Sequence, residues 1–247
     1  MKSNMINAAI IIIGNEILSG RTDDVNLQFL AQRLNRLGIR LEEARIVLDS
    51  ESNIVEAVNT LRGQVTYVFT TGGIGPTHDD ITSSAIAAAF GVGYELHPEA
   101  ESILREYYKK KPLTQARLKM AKLPVGAKLL YNPISKAPGF RVENVFVLPG
   151  VPGILRAMFD NFSHELVGGQ PVLSGSVSTD LGEGTIGDGL AAIQSKFNEV
   201  EIGSYPFFKD GKFGTSLVVR HTNEKKIGIV VDVFQKLILS HGGNLLN

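Results

Sequence analysis

Ala8-Ala9-Ile10-Ile11-Ile12-Ile13 is an unbroken apolar run ended by Gly14. It lacks polar alternation, so a strand made from it must be buried on both faces, as in a parallel sheet covered by helices on each side. A run this short cannot span a bilayer or form a signal-peptide core. The segments that follow fit the same architecture. Asp23 or Asp24 can cap a helix whose apolar face is Leu27, Leu30, Leu34 and Leu37, with Gly38 as its stop. Ile39 to Val47 predicts the next strand. A helix from Asp49-Ser50 then carries Ile54, Val55, Val58 and Leu61, and Val65 to Thr71 predicts a third strand. Strands alternating with helices at this spacing predict an open, mostly parallel α/β sheet. In such sheets ligands bind beyond the carboxyl ends of the strands. Glu16, Asp24, Asn26, Asp49, Asp79 and Asp80 all fall in segments leaving those ends.

The third strand runs into Thr71-Gly72-Gly73-Ile74-Gly75-Pro76-Thr77-His78-Asp79-Asp80, and helical periodicity resumes from Ile81 to Phe90. Glycines here permit positive φ and let a ligand approach main-chain N–H groups. A loop of this kind entering a helix N-terminus suits an anion. Two adjacent carboxylates would repel a bare phosphate, and a divalent cation held by Asp80, Asp79 or both would reconcile the two features. Alternatively one aspartate is the helix N-cap. A Cβ at Gly73 is expected to weaken ligand binding more than stability. His78 reads as an exposed loop imidazole, or as a proton carrier.

Helices are predicted from Pro98 to Lys110 and from Gln115 to Lys122. A loop follows from Tyr131 to Phe140, and then a hairpin about Glu143-Asn144. Leu148-Pro149-Gly150-Val151-Pro152-Gly153 is a second glycine-proline loop between a strand and a helix, Ile154 to Val167. Gly168-Gly169-Gln170-Pro171 reads as a linker between a first domain, residues 1–168, and a second, residues 171–247. The second predicts βαββα, a small two-layer α/β unit.

The chain of 247 residues balances 25 basic against 25 acidic side chains, at a pI near 7.0. No global field draws it to nucleic acid or to an anionic membrane. It contains no cysteine, so disulfides, thiolate metal sites and cysteine nucleophiles are excluded. A soluble cytoplasmic protein is expected.

Thr70 to Thr82 resembles the TTGG-x-G-x-x-x-DDIT signature of the molybdopterin-binding MoaB/Mog superfamily, in the form carried by the amino-terminal domains of CinA and of eukaryotic FAD synthase. Ala137-Pro138-Gly139-Phe140, Leu148-Pro149-Gly150-Val151-Pro152, and Gly14-x-Glu16 with Asp24 and Asn26 resemble further loops of that group. Asn15 and Ile154 depart from the pattern, which more often has Thr or Asp at the first and Glu at the second. The resemblance implies a three-layer domain with a mostly parallel sheet, and a homo-oligomer, dimer or trimer. It implies a small phosphorylated ligand, a dinucleotide or a pterin, held by Thr71, Gly72, Gly73, Gly75, Pro76, Thr77, Asp24, Asn26, Asp49, Ala137, Pro138, Gly139, Pro149 and Gly150. It further implies a pyrophosphatase acting on ADP-ribose, FAD or a related dinucleotide, with Mg²⁺, Mn²⁺ or Co²⁺ on Asp80 and Asp79 and with Glu16 assisting. The alternative is a protein of molybdenum cofactor biosynthesis that binds molybdopterin without hydrolase activity. Larger members append deamidase or adenylyltransferase domains, and neither activity is expected of residues 1–247.

Overall fold

The structure, a computed structural model, describes residues 6–209 and 211–246. The chain separates between Gly169 and Gln170 into two compact units.

The first unit is built from β1 (Asn7–Ile13), α1 (Asn15–Leu18), α2 (Asn26–Arg36), β2 (Arg40–Val47), α3 (Glu51–Arg62), β3 (Tyr67–Thr71) and α4 (Thr82–Phe90). It continues through β4 (Tyr94–Leu96), α5 (Pro98–Tyr107), α6 (Gln115–Lys119), β5 (Lys122–Pro124), β6 (Lys128–Leu130), β7 (Gly139–Val142), β8 (Val145–Leu148) and α7 (Pro152–Phe162). A six-stranded sheet has the order β2-β1-β3-β8-β7-β6. β1 pairs in parallel with both β2 and β3, and β3 in parallel with β8. β7 is antiparallel to both neighbours.

β1 lies inside the sheet, and Ala8 to Ile13 are all buried. Ala9, Ile11 and Ile13 pack on one face with Ile54, Val58 and Leu61 of α3 and Ala85 and Ile86 of α4. Ile10 and Ile12 pack on the other with Leu30 and Leu34 of α2 and Leu155 and Phe159 of α7. The result is three layers. Each isoleucine so enclosed contributes about 1.5–3 kcal/mol by leaving water. β2 is an edge strand, and its RLEEARIV sequence alternates between exposed and half-buried positions, as an edge with one wet face should.

Local chemistry sets the helix starts. The Asp24 carboxylate accepts from the Leu27 N–H at 2.7 Å, as expected for a cap of α2. Ser50, rather than Asp49, caps α3 through the Asn53 N–H. Neither Asp79 nor Asp80 caps α4: its N-cap position is Ile81, which makes no side-chain cap bond.

Three elements were not anticipated. β4 and β5 form a two-stranded antiparallel sheet, and β6 joins the main sheet. The helix predicted to Lys122 ends at Lys119 because Lys122–Pro124 pairs with β4, while α7 stops at Phe162 and gives way to a 3₁₀ turn, Ser163–Glu165.

The second unit contains β9 (Leu173–Thr179), α8 (Glu183–Lys196), β10 (Glu201–Lys209), β11 (Lys212–His221), α9 (Glu224–Ser240) and β12 (Leu245–Leu246). Its sheet order is β10-β11-β9-β12, antiparallel throughout. β12 extends the predicted βαββα to βαββαβ. Ile186, Leu217, Val219, Val230 and Phe234 form its core.

Candidate active site

β3, β1 and β8 end side by side, and the segments leaving them enclose a cavity of about 480 Å³. Among the residues that line it are Gly72, Gly73, Gly75, Pro76 and Asp80 from the glycine loop. Glu16, Ala137, Pro149 and Gly150 line it from the other predicted loops. A smaller recess of about 100 Å³ shares Glu16 and Gly150 with it and adds Asp24, Asn26 and Thr71.

The glycine loop has two parts. Gly72 and Gly73 have φ of 102° and 67°. A Cβ on Gly72 would overlap the Ile13 carbonyl oxygen, and one on Gly73 would overlap the Thr82 hydroxyl. The buried Thr82 clamps the pair, since its hydroxyl donates to the Gly72 carbonyl at 3.0 Å and its N–H donates to the Gly73 carbonyl at 3.0 Å. These two glycines are therefore demanded by packing against β1 and α4. The backbone then turns outward, and among the described residues nothing accepts from the N–H groups of Gly73, Ile74 and Gly75. Three successive donors at the wall of a cavity form an anion-binding concavity.

Asp80 closes the loop. Its Oδ2 accepts from the Thr77 N–H at 2.8 Å and from the Thr77 hydroxyl, and its carboxylate lies directly over Gly75. Oδ1 has no partner among the described residues. Thr77 is itself tethered, because the Lys119 ammonium donates to its carbonyl at 2.6 Å. Glu16 folds back over Gly14, with no protein donor on its carboxylate among the described residues.

Asp79 is exposed and lies outside the cavity lining. Its carboxyl is held below the usual range by the Thr77 hydroxyl and its own backbone N–H, helped by the charges of His78 and Lys119. His78 is almost fully exposed, 4.0 Å from Asp79.

Other predicted site residues serve the walls. Asp49 accepts from the Asn15 N–H at 2.8 Å, and Asn15 in turn accepts from the Asp49 N–H at 3.3 Å, so the pair fastens α1 to the end of β2. Pro138 and Gly139 are buried away from the cavity, and a Cβ on Gly139 would meet the Val147 carbonyl and Met158. Asn26, only 4% exposed, donates to the Gly150 carbonyl at 2.8 Å, tying α2 to the 149–153 loop. Among the described residues its Oδ1 has no partner, and neither has the Thr70 hydroxyl.

Ile74, Met120, Val151 and Ile154 supply an apolar wall that motif reading had not singled out as ligand contacts. Ile154 is the family departure noted above, and the wall is apolar where a carboxylate is more usual. Asn132 was also missed. Buried, it donates to the Ser135 hydroxyl and the Ala137 carbonyl and accepts from the Ile134 and Ser135 N–H groups, which shapes the 131–137 loop. Asn followed by Pro was a turn signal, but only the fold reveals what the turn encloses.

The family pattern described as "probable molybdopterin binding domain" matches residues 9–169. The chain belongs to that family. Directly after this molybdopterin-binding-like domain, residues 171–241 match the "FAD synthase, middle domain" pattern. A probable FAD synthase of Caenorhabditis briggsae is 32% identical over 95% of the chain and 50% of its own length. A protein of Aeropyrum pernix is 45% identical over 62% of the chain and 59% of its own length. The chain thus spans half to three-fifths of these relatives. Among solved structures, the protein CinA of Thermoplasma acidophilum, described as of unknown function, is similar at a TM-score of 0.62. It is 34% identical, covering 66% of this chain and 99% of that one.

Proposed function

We propose that the first unit is a divalent-metal-dependent nucleotide pyrophosphatase acting on ADP-ribose, FAD or a related dinucleotide. The observation that carries this reading is the meeting, in one cavity, of the free Gly73, Ile74 and Gly75 N–H groups with the carboxylates of Glu16 and Asp80. Amides suit a phosphate, and carboxylates beside them suit a cation neutralising it.

Among the described residues no three His, Cys, Asp or Glu side chains are grouped to cage a metal. The donor set nevertheless fits Mg²⁺, which commonly takes one or two carboxylates and completes its shell with substrate phosphate and water. When bound, such an ion supplies Lewis-acid polarisation of the phosphoryl oxygen and lowers the pKa of water. Asp80, aligned by Thr77, would hold it through Oδ1, which has no partner among the described residues. Asp79 would add negative field from outside the cavity. The amides bind and orient the pyrophosphate, stabilising charge as it develops. Glu16, free of protein donors, accepts the proton of the attacking water as one P–O–P bond breaks. ADP-ribose would yield AMP and ribose 5-phosphate, and FAD would yield AMP and FMN.

A second reading, binding of molybdopterin without hydrolysis, is favoured by the family match and by the apolar wall of Ile74, Met120, Val151 and Ile154, which suits a flat ring. Pure protein incubated with ADP-ribose and FAD, with and without Mg²⁺, Mn²⁺ or Co²⁺, should release AMP only with metal. Asp80→Ala should lower release by about 10²–10³-fold, the scale of losing one preorganised electrostatic group, with circular dichroism unchanged. Absence of AMP from protein that binds molybdopterin would select the second reading.

A further inference from the structure

A second cavity of about 450 Å³ opens on the far side of Asn132, lined by Glu99 and Ile103 of α5, by Tyr131, Pro133 and Lys136 of the 131–137 loop, and by Asn161. Asn132 lines both cavities, so the two adjoin at this residue. All four hydrogen bonds of its side chain go to its own loop, so it shapes the place where they adjoin without offering a ligand contact.

The two cavities differ in chemistry. Among the described residues no aromatic side chain lines the main cavity, which offers amides, carboxylates and an aliphatic wall. The second offers the half-exposed ring of Tyr131, whose hydroxyl donates to Glu99 at 2.6 Å. It also offers Lys136, which has a φ of 62°, a conformation that favours glycine, and whose ammonium has no partner among the described residues. A lysine in the left-handed region, unpaired among the described residues and at a cavity wall, is a binding candidate.

We propose that this second cavity is the subsite for one nucleoside half of the dinucleotide whose pyrophosphate lies on the Gly73–Gly75 amides. The ring of that half stacks on Tyr131. Its sugar hydroxyls donate to Glu99 and accept from Lys136. The inference rests on the dinucleotide reading above, and adds which residues distinguish a dinucleotide from a plain pyrophosphate.

Calorimetric titration with the methylene-bridged, non-hydrolysable analogues of ADP-ribose and of pyrophosphate, in Mg²⁺ so that the site is loaded without turnover, tests it on the full chain. Tyr131→Ala and Lys136→Gly should each weaken ADP-ribose binding tenfold or more and leave pyrophosphate binding unchanged. Glycine suits φ of 62°, so Lys136→Gly should melt no lower than the parent, which separates lost binding from lost folding. Tyr131→Phe, keeping the ring, should retain most of the affinity. Unchanged ADP-ribose affinity in both variants, or an equal loss for pyrophosphate, would overturn the subsite while leaving the pyrophosphatase reading standing. A parent that binds neither probe would overturn both.

Discussion

A β-carbon on Gly73 would overlap the Thr82 hydroxyl and hold an L side chain at φ of 67°. Sequence reasoning expected this position to matter for ligand approach first and for stability second. The geometry puts the first cost in the fold, since the clash is with α4. Gly73→Ala should destabilise the first unit by about 1–3 kcal/mol, the scale of a residue forced into a sparsely populated region, and thermal melts without ligand would read it. Its N–H is a separate matter, because nothing in the protein accepts from it among the described residues. One glycine thus answers to packing through its α-carbon and faces the cavity through its nitrogen, and only the first of these can be separated cleanly by mutation.

The glycine loop works as an element because α6 braces it. Lys119 donates to the Thr77 carbonyl, and Thr77 donates twice to Asp80, so a helix whose own side chains make little core aligns the carboxylate that lines the cavity. Thr77→Val removes the hydroxyl and keeps the N–H bond. Losing an outer-shell partner of a metal-holding carboxylate typically costs about 10–100-fold, so AMP release should fall about tenfold or more, and because the bond lies at the exposed surface melts should stay close to those of the parent. The same substitution bears on the low Asp79 carboxyl, for which the Thr77 hydroxyl is the leading cause although its one proton lies on Asp80 in this geometry. NMR titration should find the Asp79 midpoint below the usual carboxylate range in the parent and raised in Thr77→Val. The sign follows from linkage: a depressed carboxyl favours the folded state above its unfolded pKa, and that contribution is lost as pH falls through the folded value.

For the whole molecule, the junction of the two units lies among residues that are exposed from Val167 to Pro171. Gly169 is pinned, donating to the Leu37 carbonyl at 3.1 Å, and Gly168 is so close to that carbonyl that a Cβ would overlap it. Limited proteolysis should cut first just beyond this pin, near Gln170 and Pro171, and leave the first unit as a fragment ending close to Gly169. Mass spectrometry of the fragments decides it, and first cuts confined to the 131–137 loop would count against a separable junction. No described helix is long and apolar enough to cross a membrane.

The sequence by itself determined the three-layer sheet, because an unbroken isoleucine run admits only a strand covered on both faces, and the leucine and valine periodicities of α2 and α3 admit only one buried side each. It also determined which loops meet, since parallel strands deliver their carboxyl ends to one edge. What it could not determine is which residues of those loops face the cavity. Asp79 and Asp80 are neighbours of the same type, yet one lines the cavity and the other is exposed outside it, and the choice is made by hydrogen bonds from Thr77. Asp49, Pro138 and Gly139 belong to the same loops and serve as walls and braces. Met120 and Asn132 reach the site from segments without a motif. Short strands such as β4, β5 and β6 were invisible for the same reason: at three residues each, their pairing comes from tertiary neighbours rather than from any local pattern.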